Sequence, residues 1–338
     1  MRLTRRGKIA AISSAAAAVV LILGFFLLTG GTTAFKATQS SSPSPAPTQD
    51  SNLTSPFTGE RIKSLGPELI FKIDNVPQAR PPTGLTKADI VYLLPVDGGL
   101  SRIFAVFSSR IPPIVGPVRS SRQEDIKLLR QFGTPAFAFS GAQPHLLPVV
   151  EHARIVDLYA GIVSGYFRDL NRVEPYNLYA NTRQLLAEAP HASRARDIGF
   201  RFGPAPAGGK PTRSYSVSYP AAAFMFRWSA ADHRWLVWMD GSPAYAAQGG
   251  QLGGPTVVVQ YVRVTLSPYR ELGIRPPYAN TVGSGNAVVL RNGRAYDVRW
   301  SRPDADGGTT FTLPSGKRMT FARGQVWVVF GYGRGSTA

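Results

Sequence analysis

Twenty residues, Ile9 to Leu28, carry no charge, and they follow Arg2, Arg5, Arg6 and Lys8 with no acid among them. As a helix this run rises roughly 30 Å, which matches the hydrocarbon core of a bilayer. Cations in front of such a span hold the N-terminus in the cytoplasm and send the rest of the chain outward. The segment reads as a targeting or anchoring element outside the fold: a basic cytoplasmic flank over residues 1–8 and a transmembrane anchor over 9–30. Cleavage near Thr32-Thr33-Ala34 would instead give a secreted protein, but the run is longer than a usual signal core, which favours the uncleaved anchor. Residues 31–55, with SSSPSPAPTQ inside them, have no apolar periodicity and are expected to form a disordered, solvated tether. The expected protein is single-pass in the plasma membrane, with its body outside the cytoplasm.

The chain of 338 residues contains no cysteine, which excludes disulfides, thiolate zinc sites, a cysteine nucleophile and a lipidated N-terminal Cys. Thirty-eight Lys and Arg against 20 Asp and Glu imply an anionic neighbour. Residues 56–200 hold 17 basic and 13 acidic side chains, whereas 201–338 hold 16 and 6, so the excess lies in the C-terminal half. Thirty of the basic residues are Arg, and either a compositional bias or an anion-facing surface accounts for that. Anionic lipid and wall polymer are the expected non-protein partners, besides the membrane reached through the N-terminal helix. Export makes nucleic acid a poor partner.

Residues 56–202 alternate strand-like and helix-like segments. Leu69–Ile73, Ile90–Leu94, Arg102–Phe107 and Ala136–Phe139 are short apolar runs rich in β-formers. Ser121-Arg122-Gln123-Glu124 reads as a capping box that opens a helix through about Phe132. Further helices are expected over Pro144–Ala153, with His145 and His152 on one face, and over Thr182–Glu188. After a linker, 203–211, the pattern becomes β-rich over 212–333. Phe224–Trp228 and Trp235–Trp238 read as a hairpin, Val257–Val264, Thr309–Leu313 and Val326–Phe330 as strands, and Asn292-Gly293 as a turn between two more. The tryptophans are expected to pack the core of this half. The fold class expected is α+β: an N-terminal α/β domain followed by a β-rich C-terminal domain, preceded by one transmembrane helix.

Polar residues gather where the first strands end. Asp74, Asp89 and Asp97 are candidate acid/base carboxylates; the alternative is that they cap turns beside Gly and Pro. Arg102, Arg119, Arg122, Arg168 and Arg172 form either an anion pocket or ion-paired scaffolding with Asp97 and Asp169. Asn75, Arg80, Ser120, Asp169 and Asn177 complete the candidate ligand-binding set. Ser140-Gly141 could set a hydroxyl at the site rim, but a plain turn is the favoured reading. The four histidines show no paired metal spacing, and the body contains no HExxH, GxSxG or SxxK. No metal site or cofactor is implied.

The stretches FKIDNVPQARPPTGLTKADIVY, DGGLSRIFAVF, GPVRSSR, YFRDLNRVEPYNLYA, VGSGNAVVLRNG and GQVWVVF resemble the YerB-like family of exported bacterial lipoproteins, whose halves are a domain of unknown function, number 3048, and its C-terminal partner. The likeness runs from Phe57 to Phe330 and implies an envelope location and a two-domain body, without an established activity. The family pattern falls on Asp74, Asn75, Arg80, Pro81, Gly84, Asp89, Gly98, Gly99, Arg102, Gly116, Pro117, Arg119, Ser120, Arg122, Arg168, Asp169, Arg172, Pro175 and Asn177. It implies that Gly283-Ser284-Gly285 is a β-turn, not a dinucleotide loop. The chain departs from the family in lacking the lipidated Cys, in Leu93 and Asp97, and in Tyr176 where similar members carry His. A mechanism that needs that His is not expected here.

The leading expectation is an extracytoplasmic envelope protein that binds an anionic or polyhydroxylated ligand in an Arg/Asp-lined pocket. A hydrolase or transferase acting on an envelope polymer, with Asp acid/base groups, is the alternative. A non-catalytic scaffold for a membrane complex, with a protein partner, is the third.

Overall fold

Leu69–Asp74, LIFKID, is buried along its whole length, and so are Ile90–Pro95 and Ser101–Phe107. Strands covered on both faces read as continuous apolar runs, which is why these segments show no alternation in the sequence. The structure, a computed structural model, describes residues 53–333 and Ser336. The basic flank, the anchor and most of the tether expected over residues 1–55 lie outside the described residues. Among the described residues no helix is long and apolar enough to cross a membrane, so the single-pass placement has no support there.

The central sheet joins both halves of the chain. In spatial order it runs Thr310–Thr312, Arg294–Arg302, Gly283–Arg291, Thr256–Leu266, Val326–Tyr332, Ile90–Pro95, Ser101–Phe107, Leu69–Asp74, Ala136–Phe139 and Val156–Tyr159. The junction is the parallel pairing of Ile90–Leu93 with Val326–Val329. Pro277–Asn280 and Lys210–Pro211 add short strands at Thr256–Leu266 and Arg294–Arg302. Lys210–Pro211 belongs to the expected linker.

This corrects the expected fold class. The α-helices among the described residues are Gln123–Leu129, Leu147–Glu151 and Thr182–Ala187, of seven, five and six residues. At two turns or fewer they cannot cover a parallel sheet on both faces, which an α/β domain requires. The first half is instead the edge of one large β-sheet. His145 and His152 both fall outside the helix Leu147–Glu151, so they do not share a helix face.

Successive residues point to opposite faces of the sheet. Phe71, Ile73, Val91, Leu93, Ile103, Ala105 and Trp327 face one core, closed by Phe224, Phe226, Trp235, Val237 and Met239 from a second, five-stranded sheet. That sheet is built on the hairpin Ala222–Ser229 and Arg234–Met239, as expected. Ile70, Ile90, Tyr92, Phe104 and Val106 face the other core, closed by Leu128, Leu129 and Phe132, and by Phe311 and Phe321. Trp235, Trp300 and Trp327 are buried, in accord with the expected core role, whereas Trp228 is half-buried against the core and Trp238 is half-buried with Arg227 over its ring. The Asn292-Gly293 turn forms with both residues at positive φ (50° and 67°), which Asn and Gly tolerate best, and it joins two nine-residue strands. Gly283-Ser284-Gly285 opens the first of these as a strand, where a β-turn was expected.

Register defines two poles. At one, Asp74 pairs with Arg102, and Arg102 with Leu94; at the other, Leu69 pairs with Phe107 and Ile90 with Val106. Six residues of strand separate them by roughly 20 Å. The described chain begins at the second pole, where the Ser109 hydroxyl donates to Ser55 Oγ at 3.1 Å and Arg110 pairs with Glu60 at 3.6 Å.

Candidate functional site

Leu69–Asp74, Ala136–Phe139 and Val156–Tyr159 run parallel, so their carboxyl ends share the first pole. Beyond them opens a cleft of about 590 Å³, lined by Arg119, Ser120, Ser140, Tyr159, Tyr166 and Arg168 among others. Ligands of open sheets with parallel strands sit beyond strand carboxyl ends for this topological reason. A three-stranded sheet of Ile114–Val115, Leu178–Asn181 and Tyr166–Arg168 forms a further wall.

The arginines divide into locked and open ones. Arg122 is 4% exposed, with its Nε donating to Asp97 Oδ2 at 3.1 Å, its Nη2 against the same oxygen, and its Nη1 donating to the Ser121 carbonyl. Arg102 is buried and donates from Nη1 to the Ser120 carbonyl at 2.9 Å. Burial, reinforced by the Arg122 charge, lowers its pKa to about 10. Both fasten the loop that carries Ser120.

Arg119 is open. Its Nε lies 2.9 Å from the buried Asp74 Oδ2, off the N–H axis, so the pair attracts without a hydrogen bond. Its guanidinium sits 5.9 Å from the Tyr176 ring centroid and lines the cleft. Among the described residues no protein group accepts a hydrogen bond from its Nη atoms. Tyr176, where the family resemblance points to His, thus carries a cation on its ring face. Arg168 is about half exposed, donates to Asn177 Oδ1 at 2.7 Å and pairs with Glu174 at 3.3 Å.

Arg172 holds the loop between them. It donates to the carbonyls of Pro81 at 2.9 Å and Arg80 at 3.0 Å and lies over the Tyr179 ring. Arg80 returns to the Asn75 carbonyl at 2.8 Å and pairs with Asp240 at 2.7 Å. Asn75 donates to Ser101 Oγ at 2.9 Å, and its Oδ1 is buried without a partner. Asp169 is a turn residue that accepts from the Asn171 backbone.

The three carboxylates do not converge. Asp74 Oδ1 accepts from the backbone of Asn75 and Val76 beside the cleft, and Asp97 is engaged by Arg122. Asp89 lies at the opposite pole, where its Oδ2 accepts from the backbone of Ser108 at 2.6 Å and Ser109 at 2.8 Å. Burial pushes its pKa up to about 6, against those hydrogen bonds.

Sequence reasoning missed the charges beneath the site. Lys72, fully buried, donates to Asp125 Oδ1 at 2.6 Å and lies 3.9 Å from Glu124 Oε1. Asp125 also accepts from the Arg122 backbone at 2.7 Å and the Ser121 hydroxyl at 3.1 Å. The helix is therefore capped by Asp125, one residue beyond the expected Glu124. The signal was a single lysine inside the apolar run LIFKID, which demands a buried acid. Ser140, for which a plain turn is the favoured expectation over a rim hydroxyl, lines the cleft.

Comparison with known proteins gives two family matches. The N-terminal domain of the protein of unknown function DUF3048 matches residues 57–196, and its C-terminal domain matches 215–328. The chain is 36% identical over 96 residues to YerB of Bacillus subtilis (strain 168), a protein whose name marks it as a candidate lipoprotein; the match spans 27% of this chain and 28% of that protein. The crystal structure of the YerB protein from Bacillus subtilis superposes with a TM-score of 0.71 at 19% identity, covering 82% of this chain and 96% of that one. The structural likeness extends far beyond the 96 aligned residues and is a likeness of fold.

Proposed function

This chain belongs to the DUF3048 family, and on that premise we propose that it is an exported cell-envelope protein that binds an anionic or polyhydroxylated envelope ligand in the cleft beyond its parallel strands. The observation that carries this reading is Arg119: a cation fixed by buried Asp74 and by a tyrosine face, with its outer nitrogens free toward a cleft of ligand size. Arg168 supplies a second cation, and Ser140, Tyr159 and Tyr166 supply hydroxyls or ring faces. The candidate-lipoprotein name of the relative and the charge-free run behind an N-terminal basic flank support the envelope location.

Polymer hydrolysis has weaker support, because Asp89 stands at the other pole and Asp97 is held by Arg122. The test is calorimetric titration of the full chain with polyphosphate. Arg119→Ala should weaken binding about tenfold or more, with an unchanged circular dichroism spectrum. Unchanged affinity in a folded variant overturns the reading.

A further inference from the structure

The segment Arg80–Gly84 is gripped from two sides. On the cleft side Arg172 donates to the carbonyls of Arg80 and Pro81. On the other side the loop after Pro243 donates from the Ala247 backbone to the Pro82 carbonyl at 2.9 Å, and Gln248 Oε1 accepts from the Gly84 backbone at 3.1 Å. That second side is a groove of about 380 Å³, walled by Arg80, Pro81 and Pro82 and lined by buried Met239, Ala244 and Leu252. Tyr245 stands over it, 53% exposed. The Arg80–Asp240 ion pair lies beside it.

An exposed tyrosine over an apolar groove, with the Arg80–Asp240 pair at its edge, suits a ring that has an apolar face and a polar rim. The C–H face of a pyranose ring packs on an aromatic face, while its hydroxyls reach charged donors and acceptors. The four bonds that fix the Arg80–Gly84 wall make the groove preformed, and the same wall ties it to the Arg168–Asn177 loop of the cleft. We infer that the groove is a saccharide subsite, with Tyr245 as its stacking platform, and that the ligand is an anionic glycan long enough to pass the Arg80–Gly84 wall, with a charged group in the cleft and another of its sugars in the groove. The inference rests on the cleft reading above and narrows its ligand to one carrying both features.

The test titrates the full chain with two probes, an oligogalacturonate and inorganic polyphosphate, and compares Tyr245→Ala, Tyr245→Phe and Arg119→Ala. Tyr245→Ala should weaken oligogalacturonate binding about tenfold and leave polyphosphate unchanged, and Tyr245→Phe should retain the sugar affinity. Arg119→Ala should weaken both. If Tyr245→Ala leaves oligogalacturonate binding unchanged, or the unaltered chain shows no preference for the oligosaccharide over polyphosphate, the subsite is overturned while the cleft reading stands. If Arg119→Ala changes neither probe, the cleft reading fails with it.

Discussion

Arg302, fully buried in a strand of the C-terminal half, donates from Nη2 to the carbonyl oxygen of Lys127 at 2.6 Å, in the last turn of the helix Gln123–Leu129. It also donates to the carbonyls of Gly307 and Ala305, and burial lowers its pKa to about 10. A cation at a helix C-terminus meets the negative end of the helix dipole and otherwise orphaned carbonyls.

The two family-matched halves should therefore unfold together. Arg302→Met leaves several buried carbonyls without donors and should cost on the order of 3 kcal/mol. Calorimetry should show one transition moved to lower temperature. Two separated transitions in the unaltered chain would contradict a shared sheet.

Lys72 neutralises two buried acids. Lys72→Met should destabilise the protein by roughly 3–5 kcal/mol, because the Asp125 and Glu124 carboxylates lose their cation. The double variant Lys72→Met, Glu124→Gln should recover part of the loss in a chemical denaturation series. No recovery would mean that the Glu124 charge is not what the lysine offsets.

Three buried acids set the response to pH. Burial raises Glu68 to about 8 and Asp89 to about 6, and it raises Glu124 as well, reinforced by Asp125 and opposed by Lys72. In the unfolded chain these carboxyls lose their protons near pH 4. Between that value and their folded values the unfolded state binds fewer protons, so stability falls as pH rises from about 4 to about 8. Melting temperatures across this window should decline, and Glu68→Gln should flatten the upper part of the decline. A steady rise with pH would refute the assignment.

Arg122 and Arg119 should separate folding from binding. Arg122→Ala leaves Asp97 unpaired and removes the donor to Ser121, so thermal stability should drop by about 2–4 kcal/mol. Arg119→Ala also takes the cation from a buried carboxylate, but Asp74 Oδ1 keeps its backbone donors, so its removal should cost about 1–3 kcal/mol and show chiefly in affinity. Melting curves of the two variants, read beside their affinities, check the division.

Arg172→Ala should free the Arg168–Asn177 loop. Limited proteolysis should then cut near the exposed Leu170 and Val173, with little change in the global melting temperature. Protection equal to that of the unaltered chain would show that other contacts hold the loop.

Much of this was legible locally. The runs at Leu69, Ile90, Arg102 and Ala136 announce buried strands, and Asn292-Gly293 announces its hairpin, because burial and turn chemistry are written in adjacent residues. The parallel pairing of Ile90 with Val326 has no such signature, since it joins residues more than two hundred positions apart, and missing it turned a sheet edge into an α/β domain. At the site, Gly/Pro-flanked polar residues did point to the pole that holds Arg102, Arg119 and Arg122. Nothing local distinguished Asp89, which caps a turn at the far pole, from Asp74, which lies under the cleft. Tyr245 and Asp240 gave no signal, because their relation to Arg80 exists only after the second sheet folds back on the first.

The described chain starts with Ser55 against Ser109, at the pole farthest from Arg119. A pull on the chain at Leu53 would load the pole opposite the cleft. The residues where the described chain begins and those that line the cleft thus lie in separate stretches of the sequence, free to vary independently.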